Sequence, residues 1–199
     1  MVQQNTRKAP GLSPALFVCV PVCIISGMTT HTFLTDVRAA FGQQRELAEA
    51  ALAQVGDDAF FAADHGANSL AVIAKHVGGN LRSRWTNFLT SDLEKPDRNR
   101  DGEFVTDADT RAEVMRTWQA GWSALTETLE SLQPDDLART VLMRGQPLTA
   151  QQALLKSLAH TAHHCGQIVH AAKARAQGDW KTLSVPRPGE TRPPTNYWK

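Results

Sequence analysis

Three histidines in two separated segments have the residue type and spacing of a metal site. His160 and His164 lie four residues apart, and His76 lies far upstream. If both segments are helical, the four-residue spacing places His160 and His164 one turn apart on one helix face. A third imidazole from a neighbouring helix would complete a three-histidine site with a free coordination position, which is typical of catalytic rather than structural metals.

Each histidine also has a structural interpretation. A lone His76 would be an ordinary hydrogen-bonded histidine, and the pair could arise by chance because the chain has seven histidines. His31 and His65 lie near predicted connectors and are interpreted as incidental. Cys165 lies on the apolar side of its predicted helix, which indicates a core residue rather than a nucleophile. The metal interpretation is favoured because a helical protein can bring the two segments together.

Other catalytic motifs are absent from the sequence. It contains no Gly-rich phosphate loop, no Gly-x-Ser-x-Gly elbow, no Cys-x-x-Cys and no His-Glu-x-x-His. Carboxylate-bridged di-iron bundles need Glu-x-x-His on two helices, and neither histidine segment has the glutamate. The remaining chemistry is that of a metal bound by imidazoles.

Four helices are predicted to position these residues. The recurrence of apolar residues every three or four positions predicts helices over Thr30–Val55, Asn68–Thr90, Asp107–Leu132 and Thr149–Gln177. Thr110 and Glu113 in the third helix have capping-box spacing, and so do Thr149 and Gln152 at the start of the last. Residues 59–66 are predicted to be a connector, 91–108 a long polar loop, and 136–147 a hairpin or extended crossover. This pattern predicts an all-α fold, a four-helix bundle, whose facing helices can build a metal site.

The last predicted helix has an apolar stripe with the histidine pair at its border. At about 100° per residue, the stripe contains Leu154, Leu155, Leu158, Ala162, Cys165 and Val169. His160, His164 and Gln167 cluster beside it, where a metal would be half-buried and accessible to water. His163 and His170 are predicted to face solvent.

On the second predicted helix, His76 shares a face with four polar residues: Asn80, Ser83, Arg84 and Asn87. These residues predict the wall of a polar cleft, and the alternative is an exposed face with a hydrogen-bond ladder. Asn80 and Arg84 are the candidate catalytic residues. Gly78 and Gly79 each cost the helix about 1 kcal/mol relative to alanine, which indicates close approach by another helix or a ligand.

Length and composition indicate one globular domain. The chain has 199 residues and a formal net charge of +1, so nothing points to nucleic acid or an anionic membrane. Three cysteines, at positions 19, 23 and 165, form no disulfide framework and predict a cytoplasmic setting. Residues 28–178 form the predicted domain, and 179–199 a tail in which Trp180, Leu183 and Val185 pack back. Residues 1–27 have three interpretations: a start codon placed too early, a signal-like segment, or a genuine element.

The chain resembles the DinB-like superfamily over about Met28–Gln177. The resemblance rests on His76, the His160-x-x-x-His164 pair and the following Gly166-Gln167-Ile168. Segments 68–69, 76–80, 83–85, 98–104 and 183–186 resemble one bacterial branch whose function is uncharacterised. The resemblance implies a four-helix bundle, often dimeric, in which His76, His160 and His164 bind a divalent metal, with zinc or nickel the usual occupant. Some members use the metal to activate a low-molecular-weight thiol.

Three functional hypotheses follow. The first is a metal-dependent transferase or hydrolase acting on a small molecule, with a metal-activated thiol or water as nucleophile. Asn80 and Arg84 would orient the substrate, and Arg98, Arg100 and Asp101 would close over the mouth of the site. The second is a binding or stress-response bundle that the metal only stabilises. The third is a metal-free structural bundle, such as a homodimer.

Overall fold

The computed structural model describes residues 25–63, 66–176, 178, 180–186 and 188–189, with side chains from Phe33 onward. This part of the chain is mainly helical, with five α-helices and one two-stranded sheet. The helices are α1 (Ile25–Leu52), α2 (Asp57–Phe61), α3 (Leu70–Trp85), α4 (Arg111–Ser131) and α5 (Ala150–Arg175). The strands are β1 (Thr140–Met143) and β2 (Gln146–Thr149), and 3₁₀ turns cover Asp101–Phe104 and Pro134–Ala138. None of the described helices is long and apolar enough to span a membrane.

Side-chain caps define where the three helices after α2 begin. The Ser69 hydroxyl accepts a hydrogen bond from the backbone N–H of Val72 at the start of α3. Thr110 and Glu113 form a capping box on α4, and Thr149 forms one with Gln152 on α5, with bonds of 2.9 and 3.1 Å. Each cap satisfies backbone N–H groups that have no partner inside the helix.

Helices α3 and α4 cross at a contact between glycines. A Cβ atom on Gly78 would lie 2.5 Å from the backbone carbonyl oxygen of Thr117. A Cβ atom on Gly121 of α4 would overlap the carbonyl oxygen of Gly78. Only glycine fits at these two positions, because the obstacle on each side is backbone. The predicted close approach at Gly78 is therefore an approach between helices.

The core lies between the long helices and is rich in aromatic residues. Phe41 of α1 packs edge-on against Trp85 of α3 and Trp122 of α4, with ring centroids 6.1 and 6.5 Å apart. All three side chains are buried. Helix α5 packs against α1 and also contacts α3. The predicted metal ligands of α3 and α5 are thus carried on two helices in contact.

The loop between α3 and α4 is attached to the β-hairpin. Strands β1 and β2 are antiparallel, with Met143 opposite Gln146, and the turn residues Arg144 and Gly145 both have positive φ (53° and 72°), as a two-residue type I′ turn requires. The Asp92 carboxylate accepts hydrogen bonds from the backbone N–H groups of Arg144 and Gly145, at 2.9 and 2.7 Å. These bonds fix the beginning of the loop that carries Glu103, a residue whose side chain contacts His76.

The structure moves several predicted helix boundaries. The second predicted helix ends at Trp85 rather than Thr90, because Thr86 is extended and Asn87 has a left-handed φ of 51°. The first ends at Leu52 rather than Val55, and part of the predicted connector forms the short helix α2. The third begins at Arg111 rather than Asp107, since Thr110 is its cap. The predicted hairpin is present, preceded by a 3₁₀ turn.

The buried face of α5 differs from the predicted apolar stripe. Leu155 is 49% exposed, whereas Ile168 is fully buried. Small and polar residues occupy the rest of the inner face, namely Ala153, Ser157 and Thr161. In the tail, Trp180 and Leu183 pack against the core as predicted, but Val185 is 67% exposed. The side chain of His31, the whole of His65, residues 1–24 and Gln177 lie outside the described residues.

Candidate metal centre

The three predicted histidines meet at one point. The Nε2 atom of His160 lies 3.4 Å from that of His76 and 3.2 Å from that of His164. One ring nitrogen from each residue lies within 4.8 Å of the others. A tetrahedral ion with bonds of 2.0–2.1 Å separates its nitrogen ligands by about 3.3 Å. The spacing of the imidazoles therefore fits a shared divalent metal.

Hydrogen bonds at the far side of two rings fix the tautomers that a metal needs. The Nδ1 atom of His76 lies 2.9 Å from a carboxylate oxygen of Glu103. The Nδ1 atom of His164 lies 2.7 Å from the side-chain oxygen of Gln167, three residues along α5. Because a carboxylate and an amide oxygen accept hydrogen bonds, each Nδ1 carries the proton, and the Nε2 lone pairs of His76 and His164 point to the common centre.

Glu103 is itself held by Arg98. The Nε and Nη2 atoms of Arg98 each donate to one oxygen of the Glu103 carboxylate, both at 2.7 Å. A third bond of 3.1 Å joins Nη1 of Arg98 to Glu94. The exposed fraction of the side chain is 4% for Arg98 and 8% for Glu103. Arg98 and Glu103 of the long loop thus orient the imidazole of His76. Solvent barely reaches these two loop side chains.

Gly79 leaves space for this carboxylate. A Cβ atom at position 79 would overlap Oε1 of Glu103, the oxygen that accepts from Nε of Arg98. The two adjacent glycines of α3 therefore have different functions. Gly78 allows the contact with α4, and Gly79 allows a loop carboxylate to reach His76. The sequence predicted a close approach here but did not distinguish the two.

Burial keeps His160 and His164 neutral. Burial lowers the pKa of His160 to about 3, and the neighbouring His164 and Arg84 act in the same direction. Burial also lowers the pKa of His164, although the hydrogen bond with Gln167 opposes it. Burial by itself raises the pKa of Glu103, but the hydrogen bonds from Arg98 and His76 outweigh it, so the pKa lies below its ordinary value. Neutral imidazoles beside an ionised carboxylate are the protonation states that favour metal binding.

Asn80 and Arg84 lie on the same face of α3 as His76, one and two turns further along. Asn80 is buried, and its Oδ1 atom has no hydrogen-bond partner among the described residues. Arg84 is half-buried, and its Nε atom is likewise without a partner there. The other two polar residues predicted on this face lie away from the histidines. Asn87 is exposed beyond the helix, and the Ser83 hydroxyl bonds to the loop backbone.

The loop contributes to the site differently from the prediction. Arg98 does not close over the mouth, because its guanidinium is committed to Glu94 and Glu103. Arg100 and Asp101 are exposed. The loop side chain that packs on a predicted ligand is Phe104, which is 43% exposed with its ring centroid 5.1 Å from that of His76.

Glu103 and Phe104 belong to the segment 98–104 but were not singled out from the sequence. A carboxylate followed by an aromatic residue in a long loop was the available signal. Neither residue has a spacing that relates it to the histidines. Their importance depends on how the loop folds over α3.

The other histidines and the cysteine stay outside the cluster. His163 and His170 are exposed on α5, as predicted. Cys165 is fully buried in the core, and burial raises the pKa of its thiol to about 12. A thiol in this state is a packing residue rather than a nucleophile.

Comparison with known proteins gives one family. A family model described as "Protein of unknown function (DUF1572)" matches residues 28–189, which include all three histidines and the loop with Glu103. Neither the curated proteins nor the solved structures gave a match.

Proposed function

The chain belongs to the DUF1572 family, and we propose that it is a divalent-metal-dependent enzyme of the DinB-like type. In this proposal it is a transferase or hydrolase whose nucleophile is a metal-activated thiol or water. The observation that carries the proposal is the convergence of the Nε2 atoms of His76, His160 and His164. Three neutral imidazoles leave a metal with its full positive charge and with a position free for another ligand.

The architecture supports the DinB-like assignment. Four long helices, α1, α3, α4 and α5, contribute buried residues to one core, which supports a four-helix bundle. One proposed ligand comes from the second long helix and two from the last, which is the arrangement that the sequence resemblance implies. The donor set contains only imidazole nitrogens, which suits zinc and nickel equally well.

In this proposal the chain's own residues orient the ligands and the substrate. Arg98 and Glu103 hold His76, and Gln167 holds His164. Asn80 and Arg84 face the substrate. Phe104 shields one side of the His76 ring from water. When bound, a divalent metal lowers the pKa of a thiol or water that reaches its free position, which makes a nucleophile available near neutral pH.

Metal content of untagged protein tests the site directly. We expect about one equivalent of zinc or nickel in the wild type by mass spectrometry, and loss of it in His76→Ala and His164→Ala. His163→Ala is the matched control, because His163 is adjacent in sequence but exposed. Retention in the control would justify a screen of thiol-transfer and hydrolysis reactions. Wild-type protein that takes up neither metal would contradict the proposal and favour a metal-free structural bundle.

One observation favours a non-catalytic alternative, a binding or stress-response bundle that the metal stabilises. Two cavities, of about 430 and 470 Å³, lie between α1 and α4 and behind the Arg98–Glu103 pair. Neither is lined by the three histidines. An absorption spectrum of the cobalt-loaded protein that no added thiol changes would support this alternative. A change on adding thiol would support the enzyme.

A further inference from the structure

The guanidinium of Arg84 is an uncompensated charge beside the histidine cluster. No described carboxylate lies within ion-pair distance of it, whereas Arg98 binds two carboxylates. Its Nε atom is buried and has no partner among the described residues. Burial lowers the pKa of Arg84, and the nearby guanidinium groups of Arg98 and Arg144 add to the effect. A half-buried cation in this position has a cost that its own neighbours do not offset.

The carboxylates around Arg84 are already bound by other side chains. The acidic group whose charge favours the Arg84 cation is Glu94, which already binds Arg98 at 3.1 Å and Arg144 at 3.5 Å. Glu103 is committed to Arg98 and His76. Arg98 and Arg144 thus bind Glu94, and Arg98 and His76 bind Glu103, so neither carboxylate is left for Arg84. The guanidinium of Arg84 is therefore free to bind the carboxylate of a ligand.

The two helices that carry the histidines each have a buried polar side chain without a partner among the described residues. Asn80, one turn before Arg84, is buried with an unpartnered Oδ1 atom. On α5, Ser157 is buried with an unpartnered Oγ atom. At about 100° per residue, the side chain of Ser157 points between the directions of His160 and Thr161, one turn before them. Buried polar atoms without protein partners normally bind a ligand or an ordered water.

We propose that Arg84, with Asn80 and Ser157 as the polar walls, forms a subsite for the carboxylate of an anionic small-molecule substrate whose reacting group lies at the three histidines. This inference rests on the proposed metal site and adds the class of substrate. The guanidinium forms two parallel hydrogen bonds with a planar carboxylate, which a lysine would not do.

A pair of thiols that differ in charge tests the subsite. The cobalt-loaded protein would be titrated with 3-mercaptopropionate and with neutral 2-mercaptoethanol while its absorption spectrum is followed. We expect the wild type to bind the carboxylate-bearing thiol at least about tenfold more tightly, the ratio for one charge-assisted hydrogen bond. Arg84→Gln should lose this preference, and Arg84→Lys should keep only part of it. Arg82→Gln, an exposed arginine of the same helix, should retain it.

The outcomes separate the two proposals. Protein that does not retain cobalt would overturn the metal site itself. Protein that retains cobalt and binds both thiols equally would overturn the carboxylate subsite alone. A thermal melt of the metal-free protein gives a second readout, because removing an unpaired, half-buried charge should raise the melting temperature of Arg84→Gln. A lower melting temperature would show that Arg84 is a structural residue and would contradict the subsite.

Discussion

The contact between Glu103 and His76 predicts that a loop carboxylate controls metal affinity. Replacing Glu103 by glutamine keeps the shape of the side chain but removes its charge and turns one oxygen into a donor. That nitrogen then faces either Nδ1 of His76 or the guanidinium of Arg98, both of which are donors. Depending on which way the amide points, His76 loses the acceptor that fixes its tautomer, or Arg98 loses one of its two acceptor oxygens.

The size of the effect follows from the contacts. Loss of a hydrogen-bond partner behind a metal-bound histidine typically weakens metal binding about 10- to 100-fold, or by about 1.4–2.7 kcal/mol. A buried donor left without an acceptor costs about 1–3 kcal/mol of folding free energy. Solvent does not screen this loss, because the exposed fractions of the Arg98 and Glu103 side chains are only 4% and 8%.

Two measurements on Glu103→Gln check this prediction. Competition with a chromophoric chelator gives the zinc affinity, and urea unfolding of the metal-free protein gives the stability. Glu127→Gln is the matched control, since Glu127 is exposed on α4, and it should change neither quantity. If Glu103→Gln loses stability but binds zinc as tightly as the wild type, the carboxylate only neutralises Arg98. The reasoning about the His76 tautomer would then be wrong.

Three further predictions concern the elements around the site. Gly79→Ala should weaken zinc binding, because its Cβ displaces the Glu103 carboxylate from His76 and Arg98, whereas Gly78→Ala meets the backbone of α4 and should cost about 1–3 kcal/mol in urea unfolding. Gly42→Ala, which meets nothing within 4 Å, is the control. In the metal-free protein His160 stays neutral in the fold while the unfolded chain takes up a proton below pH 6.5, so the stability should fall as pH drops from 6.5 towards 3. Equal pH dependence in His160→Gln would contradict this explanation. Thr149→Ala should lower the unfolding free energy by about 1 kcal/mol, because its hydroxyl caps α5, and an unchanged denaturation midpoint would show that the cap is unimportant.

The sequence determined the helices and the histidines because both signals are local. Apolar spacing and capping boxes act within a few residues, so Thr149 marked the start of α5 correctly, and the capping-box pair Thr110 and Glu113 lies at the observed start of α4. The four-residue spacing of His160 and His164 depends only on helix geometry. The prediction that His76 joins them needed only that its helix lie beside the last one.

The tertiary structure decided what surrounds the histidines. Segment 98–104 has no spacing that relates Arg98 or Glu103 to the histidines, and Glu103 contacts His76 because the loop, anchored to the hairpin through Asp92, folds over α3. The same anchoring made Arg98 a buried partner of Glu103 rather than a residue at the mouth of the site. The helix boundary at Trp85 also depended on the backbone of the following turn.

The charge on Arg84 shows most clearly what the sequence determines and what only the fold decides. Its position on the His76 face of α3 follows from the sequence, but whether a carboxylate would neutralise it depended on the fold. In the structure, Glu94 and Glu103 are bound by Arg98, and Glu94 also by Arg144. Periodicity places residues on a helix face because each turn of backbone repeats the same geometry. The pairing of charges from distant segments is decided only when the chain has packed.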